Sequence, residues 1–486
     1  MIRTDRYKPQ FRFSSILGTS AGYGMSELVG RLVQFAATFY LAHQSTEAEF
    51  GAFGFLIAVQ QVVALLGQAG LVELLTGRIA KAADLRQREL EIEAVYRLGR
   101  WYRIAWFSFS AVALLLATII GNLDIPALLL VAAAASGFFL SKFYLESAAH
   151  QIVQHQRLAI LFKVGPIFLI YGVGAISFSL GGNRLLFFFF GALTSLFVLT
   201  LIIRAPSTRM SLLQQHNISS HGQSELVRQT LPYLAVAVLG WITGYGNTLI
   251  IKFIFDSEAV ARYTLAFTLT MPIFMLCNAT NQAWNPKFIE LSKVWPADDL
   301  NHANAAASAL QLLLVSISAI GLILFSPLIL KLMGGNLKAY ADVVPLAGIM
   351  MLGYIFLHLY YRVSIFYLVN NESKRFMLNS IAAGLFGLLI SVILMLSCGS
   401  IGIYIGFAIA NALLGVLFSS YARMRWSVQW PIKNLILALA GVAGALFLSK
   451  KQPDLVAALI AFCIIIALFL AVWFGFNRKL LHKVKV

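Results

Sequence analysis

Three cations fall inside apolar stretches long enough to cross a bilayer: Arg31, Lys252 and Arg362. A charge at the centre of a bilayer costs roughly 2.5–3.5 kcal/mol on insertion scales, so such residues point to a wet cavity or a bound partner. An Arg fork or a Lys point charge suits a phosphoryl anion. Arg31 belongs to a stripe along the first apolar stretch, Ser14 to His43: Ser20, Gly24, Glu27, Arg31, Gln34 and Thr38. Their spacings alternate between three and four residues, which places them on one helix face. A stripe suggests a helix lining a wet cavity. Glu27 and Arg31, one turn apart, equally fit an ion pair locking this helix to a neighbour.

The elements that must carry these residues are read from composition. Of 486 residues, 59% are hydrophobic and 12% charged, and the mean hydropathy is +0.80. That describes a polytopic membrane protein. Spans of about 20 mostly apolar residues are expected. Fourteen are expected here: 14–42, 52–76, 102–121, 126–148, 161–180, 184–204, 230–254, 263–285, 306–326, 343–368, 377–397, 400–422, 433–449 and 454–476. With the N-terminus inside, 28 of the 37 Lys and Arg residues fall on the inner side and six on the outer. The bias of basic residues toward cytoplasmic loops therefore predicts both termini in the cytoplasm. The net charge of +17 is then a topology signal and calls for no nucleic acid. The basic start, Met1 to Phe13, is read as leading into an uncleaved first helix. Cys277, Cys398 and Cys463 form no CxxC pair, so neither a disulfide framework nor a metal site is expected.

No segment between spans is long enough for an extramembrane domain. Gly77–Arg100 is the most charged and reads as a short cytoplasmic helix or a solvated linker. Arg204 to Arg228 is the most loop-like. It divides the chain into an N-lobe (1–205, helices 1–6), a linker (206–228), a C-lobe (229–424, helices 7–12) and two extra C-terminal helices with a basic tail (425–486). A weak internal repeat fits this division. Ser45-Thr46-Glu47-Ala48-Glu49-Phe50 follows span 1, and Asp256-Ser257-Glu258-Ala259-Val260-Ala261 follows span 7. Both are short acidic turns on the outer side. Spans 13 and 14 read as a lipid-facing appendix.

The stretch Leu41-Ala42-His43-Gln44-Ser45-Thr46-Glu47-Ala48-Glu49-Phe50-Gly51-Ala52-Phe53-Gly54 resembles the first-to-second helix junction of Wzx-like polysaccharide flippases. These form a branch of the multidrug/oligosaccharidyl-lipid/polysaccharide exporter superfamily. Gln156-Arg157 after span 4 and Gly334-Gly335-Asn336-Leu337-Lys338-Ala339-Tyr340 before span 10 are similar to family patterns too. The resemblance implies an all-α bundle of two six-helix lobes around a central cavity that opens alternately to each side. It also implies transport of a polyprenyl-diphosphate-linked oligosaccharide, an O-antigen or exopolysaccharide repeat unit, across the inner membrane. A polysaccharide polymerase and a chain-length regulator are the partners it suggests.

Given that resemblance, Arg31, Lys252 and Arg362 are the expected diphosphate contacts. Trp241 and Tyr245 share a stripe with Thr248 and Lys252, and suit sugar stacking. Asn278 and Asn281, with Gln282 and Asn285, suit hydroxyls, though such amides also bind helices together. Lys252 equally fits a pair with Asp256 one turn on. His358 stands one turn from Arg362 and is a candidate proton acceptor, or part of a buried polar knot. Glu27 and Glu73 are the other candidate coupling sites, and they leave an ion-coupled multidrug exporter open as an alternative. Lys142 and Glu146 read as a structural i,i+4 pair. No GxxxxGK[ST], HExxH or GxSxG pattern occurs, so no enzyme, ATP use or cofactor is expected. A membrane-embedded polymerase would need a sizeable outer loop, which the sequence lacks.

Overall fold

The computed structural model describes residues 13–68, 70–72, 74–75, 85–120, 125–152, 156–202, 220–292, 294–370, 372–451 and 454–483. Fourteen helical rods follow one another among these residues, one on each expected span. They are α1 (Phe13–Gln44), α2 (Glu47–Gln68), α3 (Leu85–Ile120) and α4 (Ala127–Ile152). Rod α5 runs Gln156–Ile167, then a π-helical turn Phe168–Val173, then Gly174–Phe178; α6 is Arg184–Ile202. Rod α7 runs Ser220–Trp241, a π-helical turn Ile242–Gly246, and Asn247–Ile254. There follow α8 (Ser257–Ser292), α9 (Ala297–Met333), a 3₁₀ turn Gly335–Tyr340, α10 (Val343–Val369), α11 (Ser373–Cys398), α12 (Ile401–Trp426), α13 (Ile432–Ser449) and α14 (Leu455–Lys483). Among the described residues no strand occurs and eleven helices are long and apolar enough to cross a membrane. The protein is an all-α, multi-pass membrane protein.

Several rods outrun their apolar cores. Helix α9 has 37 residues, about 55 Å at 1.5 Å per residue, against the 20 or so that hydrocarbon requires. Hydropathy marks only the part inside the bilayer; intrahelical hydrogen bonds carry the polar turns beyond it. The same effect corrects two sequence expectations. Residues 85–100 are no separate helix or linker but the first half of α3. The loop-like stretch before α7 is already helical from Ser220.

The chain forms two compact units, Val29–Leu265 and Met1–Leu28 with Ala266–Val486. In the first, α4 packs against α2, α3, α5 and α6, and α7 lies on α2. Glu146, 3% exposed, accepts a 2.7 Å hydrogen bond from Tyr96, so the expected Lys142 pair is not its closest partner. Burial, then Glu146, push the Tyr96 phenol above its usual value and keep it the donor.

Within this unit the repeat is visible as geometry. In the α1–α2 turn, Ser45 N–H donates to Leu41 O (2.9 Å) and Glu49 N–H to Thr46 Oγ1 (3.2 Å). In the α7–α8 turn, Phe255 N–H donates to Ile251 O (2.8 Å) and Ala259 N–H to Asp256 Oδ1 (2.7 Å). Each bond has its counterpart 210 residues on, including the side-chain cap of the following helix. Phe53 and Tyr263, in register by the same offset, are both buried.

In the second unit α12 packs against α10 and α11, and α9 against α10, α13 and α14. Small residues let backbones approach: Cα of Ala408 lies 2.9 Å from where a Cβ on Gly353 would stand, and Cα of Ala410 at the same distance from one on Gly387. The two C-terminal helices are tied in by polar bonds. Trp473 donates to Ala309 O (3.2 Å), and Asn434 and Asn477 exchange amide bonds at 3.0 and 3.1 Å. The outer face of α14 is exposed Leu, Ile, Val and Phe.

Candidate functional site

In the first unit Arg31 is built into a three-residue relay. Its Nη1 donates to Gln34 Oε1 at 2.6 Å, and Gln34 Nε2 donates to the Tyr171 hydroxyl at 2.9 Å. Gln34 is 8% exposed and Tyr171 3%. Helices α1 and α5 meet closely here, since a Cβ on Gly30 would stand 3.1 Å from Val164. Tyr171 lies on the π-helical turn of α5, and Tyr245, on the π-helical turn of α7, is near enough to act on it electrostatically. Thus Arg31, Gln34, Tyr171 and Tyr245 gather in one region. The Trp241 ring packs over Gly246, 3.1 Å from where a Cβ would stand, and its buried Nε1 has no hydrogen-bond partner among the described residues.

Lys252 is elsewhere. Its ammonium donates to Ser257 Oγ at 2.7 Å across the α7–α8 turn, while Asp256 caps α8 instead of pairing with it. Lys252 lies in the last turn of its helix segment, Asn247–Ile254, next to the α7–α8 connection. Glu27 lies on α1 with its side chain outside the described residues, and Glu73 lies outside them altogether.

In the second unit His358, fully buried on α10, is held by α9 on both sides. Nδ1 is 2.9 Å from Gln311 Oε1, and Nε2 is 2.8 Å from Ser308 Oγ. Gln311 Nε2 donates to Cys277 O on α8 at 2.8 Å. That bond turns the Gln311 oxygen toward the ring, so Nδ1 carries a proton. Both ring nitrogens of His358 are thus partnered. His358→Leu would leave Gln311 and Ser308 buried without their partner, at about 1–3 kcal/mol each. The detergent-solubilised variant is expected to melt well below the parent in a thermal unfolding scan; an unchanged midpoint would contradict the clamp.

Arg362, one turn on, is different in kind. It is 6% exposed, its Nε is buried without a hydrogen-bond partner, and no carboxylate faces it among the described residues. One turn from Ser308, on the same face of α9, stands Asn304; its Oδ1 accepts from Trp284 (2.9 Å) while its buried Nδ2 has no partner among the described residues. Helices α9 and α10 run in opposite directions, so Asn304 and Arg362 fall in the same layer below the His358 clamp. Asn278 and Asn281 on α8 are half-buried and make no hydrogen bond among the described residues. The expected amides and Arg362 thus belong to one unit, and each keeps hydrogen-bonding capacity that its described neighbours do not use.

Sequence reading missed Gln34's partner Tyr171 and the whole stripe Asn301, Asn304, Ser308 and Gln311 on α9. Their spacings of three, four and three were a legible helix-face signal, but two of them precede the apolar core of that span. Among the described residues no cluster suited to a metal occurs.

The family model for polysaccharide biosynthesis proteins matches residues 19–292. The chain belongs to that family. Among solved structures it is similar to the lipid II flippase MurJ in an inward closed conformation, with TM-score 0.67 and 14% identity over 94% of this chain and 99% of that one. It is also similar to a multidrug resistance MATE transporter of the MOP superfamily in its inward-facing form, with TM-score 0.56 and 16% identity over 82% and 94%. A eukaryotic MATE transporter gives TM-score 0.56 and 14% identity over 88% and 98%. At these identities the likeness is one of fold. No curated protein sequence matches the chain.

Proposed function

We propose that this protein is a flippase that carries a polyprenyl-diphosphate-linked oligosaccharide, an O-antigen or exopolysaccharide repeat unit, across the inner membrane by alternating access. The observation that carries the reading is Arg362: a buried guanidinium with no carboxylate among the described residues needs an anion, and a lipid-linked diphosphate supplies one. Family membership supports a polysaccharide-related substrate, and the shared fold with a lipid II flippase supports a lipid-linked one. Arg31 is the second diphosphate contact. Trp241, Tyr245, Asn278 and Asn281 contact the sugars, the prenyl tail stays in the bilayer, and both termini lie in the cytoplasm. Lys252, held at the α7–α8 turn, meets the headgroup only as it leaves. His358, with Glu27 and Glu73, is the coupling candidate, and a polymerase and chain-length regulator act next on the product. An inside-negative potential drives two negative charges outward with roughly 4–5 kcal/mol per 100 mV.

Vesicles holding the purified protein and a fluorescent polyprenyl-diphosphate oligosaccharide test this. Reduction of the inner-leaflet probe by an impermeant outer quencher is expected to exceed that of protein-free vesicles. Export of a cationic dye with no movement of the glycolipid would replace this reading with drug export.

A further inference from the structure

The Arg31 relay contains more than binding requires. An arginine on a cavity wall can meet an anion in many rotamers, because its stem has several free torsions. Here one guanidinium nitrogen is tied to the Gln34 carbonyl, and the Gln34 amide is itself tied, through its nitrogen, to a phenol on another helix. The direction of each bond matters. An amide has two ends of opposite polarity. Its oxygen must face the cation, so its nitrogen must find an acceptor on the far side. The Tyr171 oxygen is that acceptor, and Gln34 is buried, so water does not stand in for it.

The position of Tyr171 depends on backbone as well as side chain. The π-helical turn adds one residue to the turn of α5, which rotates the remainder of that rod by about 100° relative to an unbroken α-helix. Leu169 and Val173, on the same turn, line an apolar groove against α6, while Tyr171 packs edge-on against Phe188 and reaches α1. A second π-helical turn, in α7, carries Tyr245.

We propose that Tyr171 and Gln34 are positioning residues for Arg31: the phenol fixes the amide, and the amide fixes the guanidinium in the one orientation that receives the diphosphate. This rests on the reading of Arg31 as a diphosphate contact. It assigns Tyr171, which touches no substrate, an effect on affinity and none on the chemistry of the anion.

The test uses the full chain in detergent with farnesyl diphosphate as a soluble prenyl diphosphate, followed by titration calorimetry and by the unliganded melting midpoint. Tyr171→Phe keeps the ring against Phe188 and removes one oxygen. It is expected to weaken farnesyl diphosphate binding about five- to tenfold and, because the buried Gln34 amide loses its acceptor, to lower the unliganded midpoint as well, so the comparison with the Arg31→Ala background decides. Gln34→Leu should do the same. In an Arg31→Ala background, already weakened, Tyr171→Phe should add nothing, because a positioning residue has nothing left to position. If Arg31→Ala weakens binding but Tyr171→Phe does not, the inference is overturned and the diphosphate reading stands. The inference is overturned in the same way if Tyr171→Phe weakens binding equally with and without Arg31. Unchanged affinity in Arg31→Ala would overturn both.

Discussion

Arg362→Met is expected to cut glycolipid transport and, at the same time, to make the protein more stable. The two effects have one cause. A buried guanidinium without a carboxylate loses hydration that nothing among the described residues replaces. Replacing buried charges by hydrocarbon of similar volume often stabilises by 1–4 kcal/mol, so a rise in melting midpoint equivalent to about 1–3 kcal/mol is expected in detergent. Transport should fall about ten- to a hundredfold, since a charge-assisted bidentate contact is worth roughly 1.5–3 kcal/mol and each 1.4 kcal/mol is a factor of ten. Arg362→Lys keeps the charge but loses the fork, and is expected to retain about a tenth of the parent rate. A structural arginine would behave in the opposite way, with Arg362→Met melting early and the surviving protein transporting normally. That outcome, read from vesicle transport and unfolding on the same preparation, would remove Arg362 from the binding site.

The helix count was legible because hydrocarbon thickness sets span length and loop charge sets alternation, so each error would have propagated down the chain. The turn repeat was legible as two short acidic connections, and the structure adds Thr46 and Asp256, two capping side chains at matching places. Less could be read of the site. Arg31, His358 and Arg362 stand out as ionisable residues in apolar sequence, and the structure gives each a distinct environment. Arg31 is tied, His358 is saturated, and Arg362 lacks a counter-charge among the described residues. Which environment each has is decided by residues far off in sequence, Tyr171 for Arg31 and Ser308 with Gln311 for His358. Pattern reading along one helix cannot reach across 137 or 50 residues. The π-helical turns were hidden for another reason. Their sequences, Phe168–Val173 and Ile242–Gly246, carry glycines (Gly172, Gly244 and Gly246) that weaken an α-helix without specifying a π turn, so the extra residue is not legible from them. Lys252 stands in the last turn of α7, where Ser257, five residues on, holds the ammonium in place of the expected Asp256.

Gly51→Ala is expected to be strongly destabilising, although it adds a single methyl group. A Cβ at this position would land on the carbonyl oxygen of Ser257, and that oxygen is backbone at the first turn of α8, so it cannot swing aside as a side chain would. One turn along α2, a Cβ on Gly54 would strike the Thr264 hydroxyl, which can rotate at smaller cost. Around the Gly51 approach stand Lys252 with Ser257 at 2.7 Å and Glu47 with Arg262 at 3.8 Å. Forcing α2 away from α8 pulls on both, and overpacking of this kind costs about 1–3 kcal/mol or more. Gly444→Ala is the matched control: it sits mid-helix in α13 with nothing within 4 Å, so the added methyl should be neutral or stabilise by up to about 1 kcal/mol. Ser45, 1% exposed in the α1–α2 turn, reports the geometry. A cysteine introduced there (Ser45→Cys) should resist an impermeant maleimide in the parent and in Gly444→Ala, and react in Gly51→Ala, whose melting midpoint should also drop. Equal protection in all three would mean that α2 and α8 do not meet closely at Gly51 in the membrane, and that the Glu-Phe-Gly junction owes its glycine to something other than this contact.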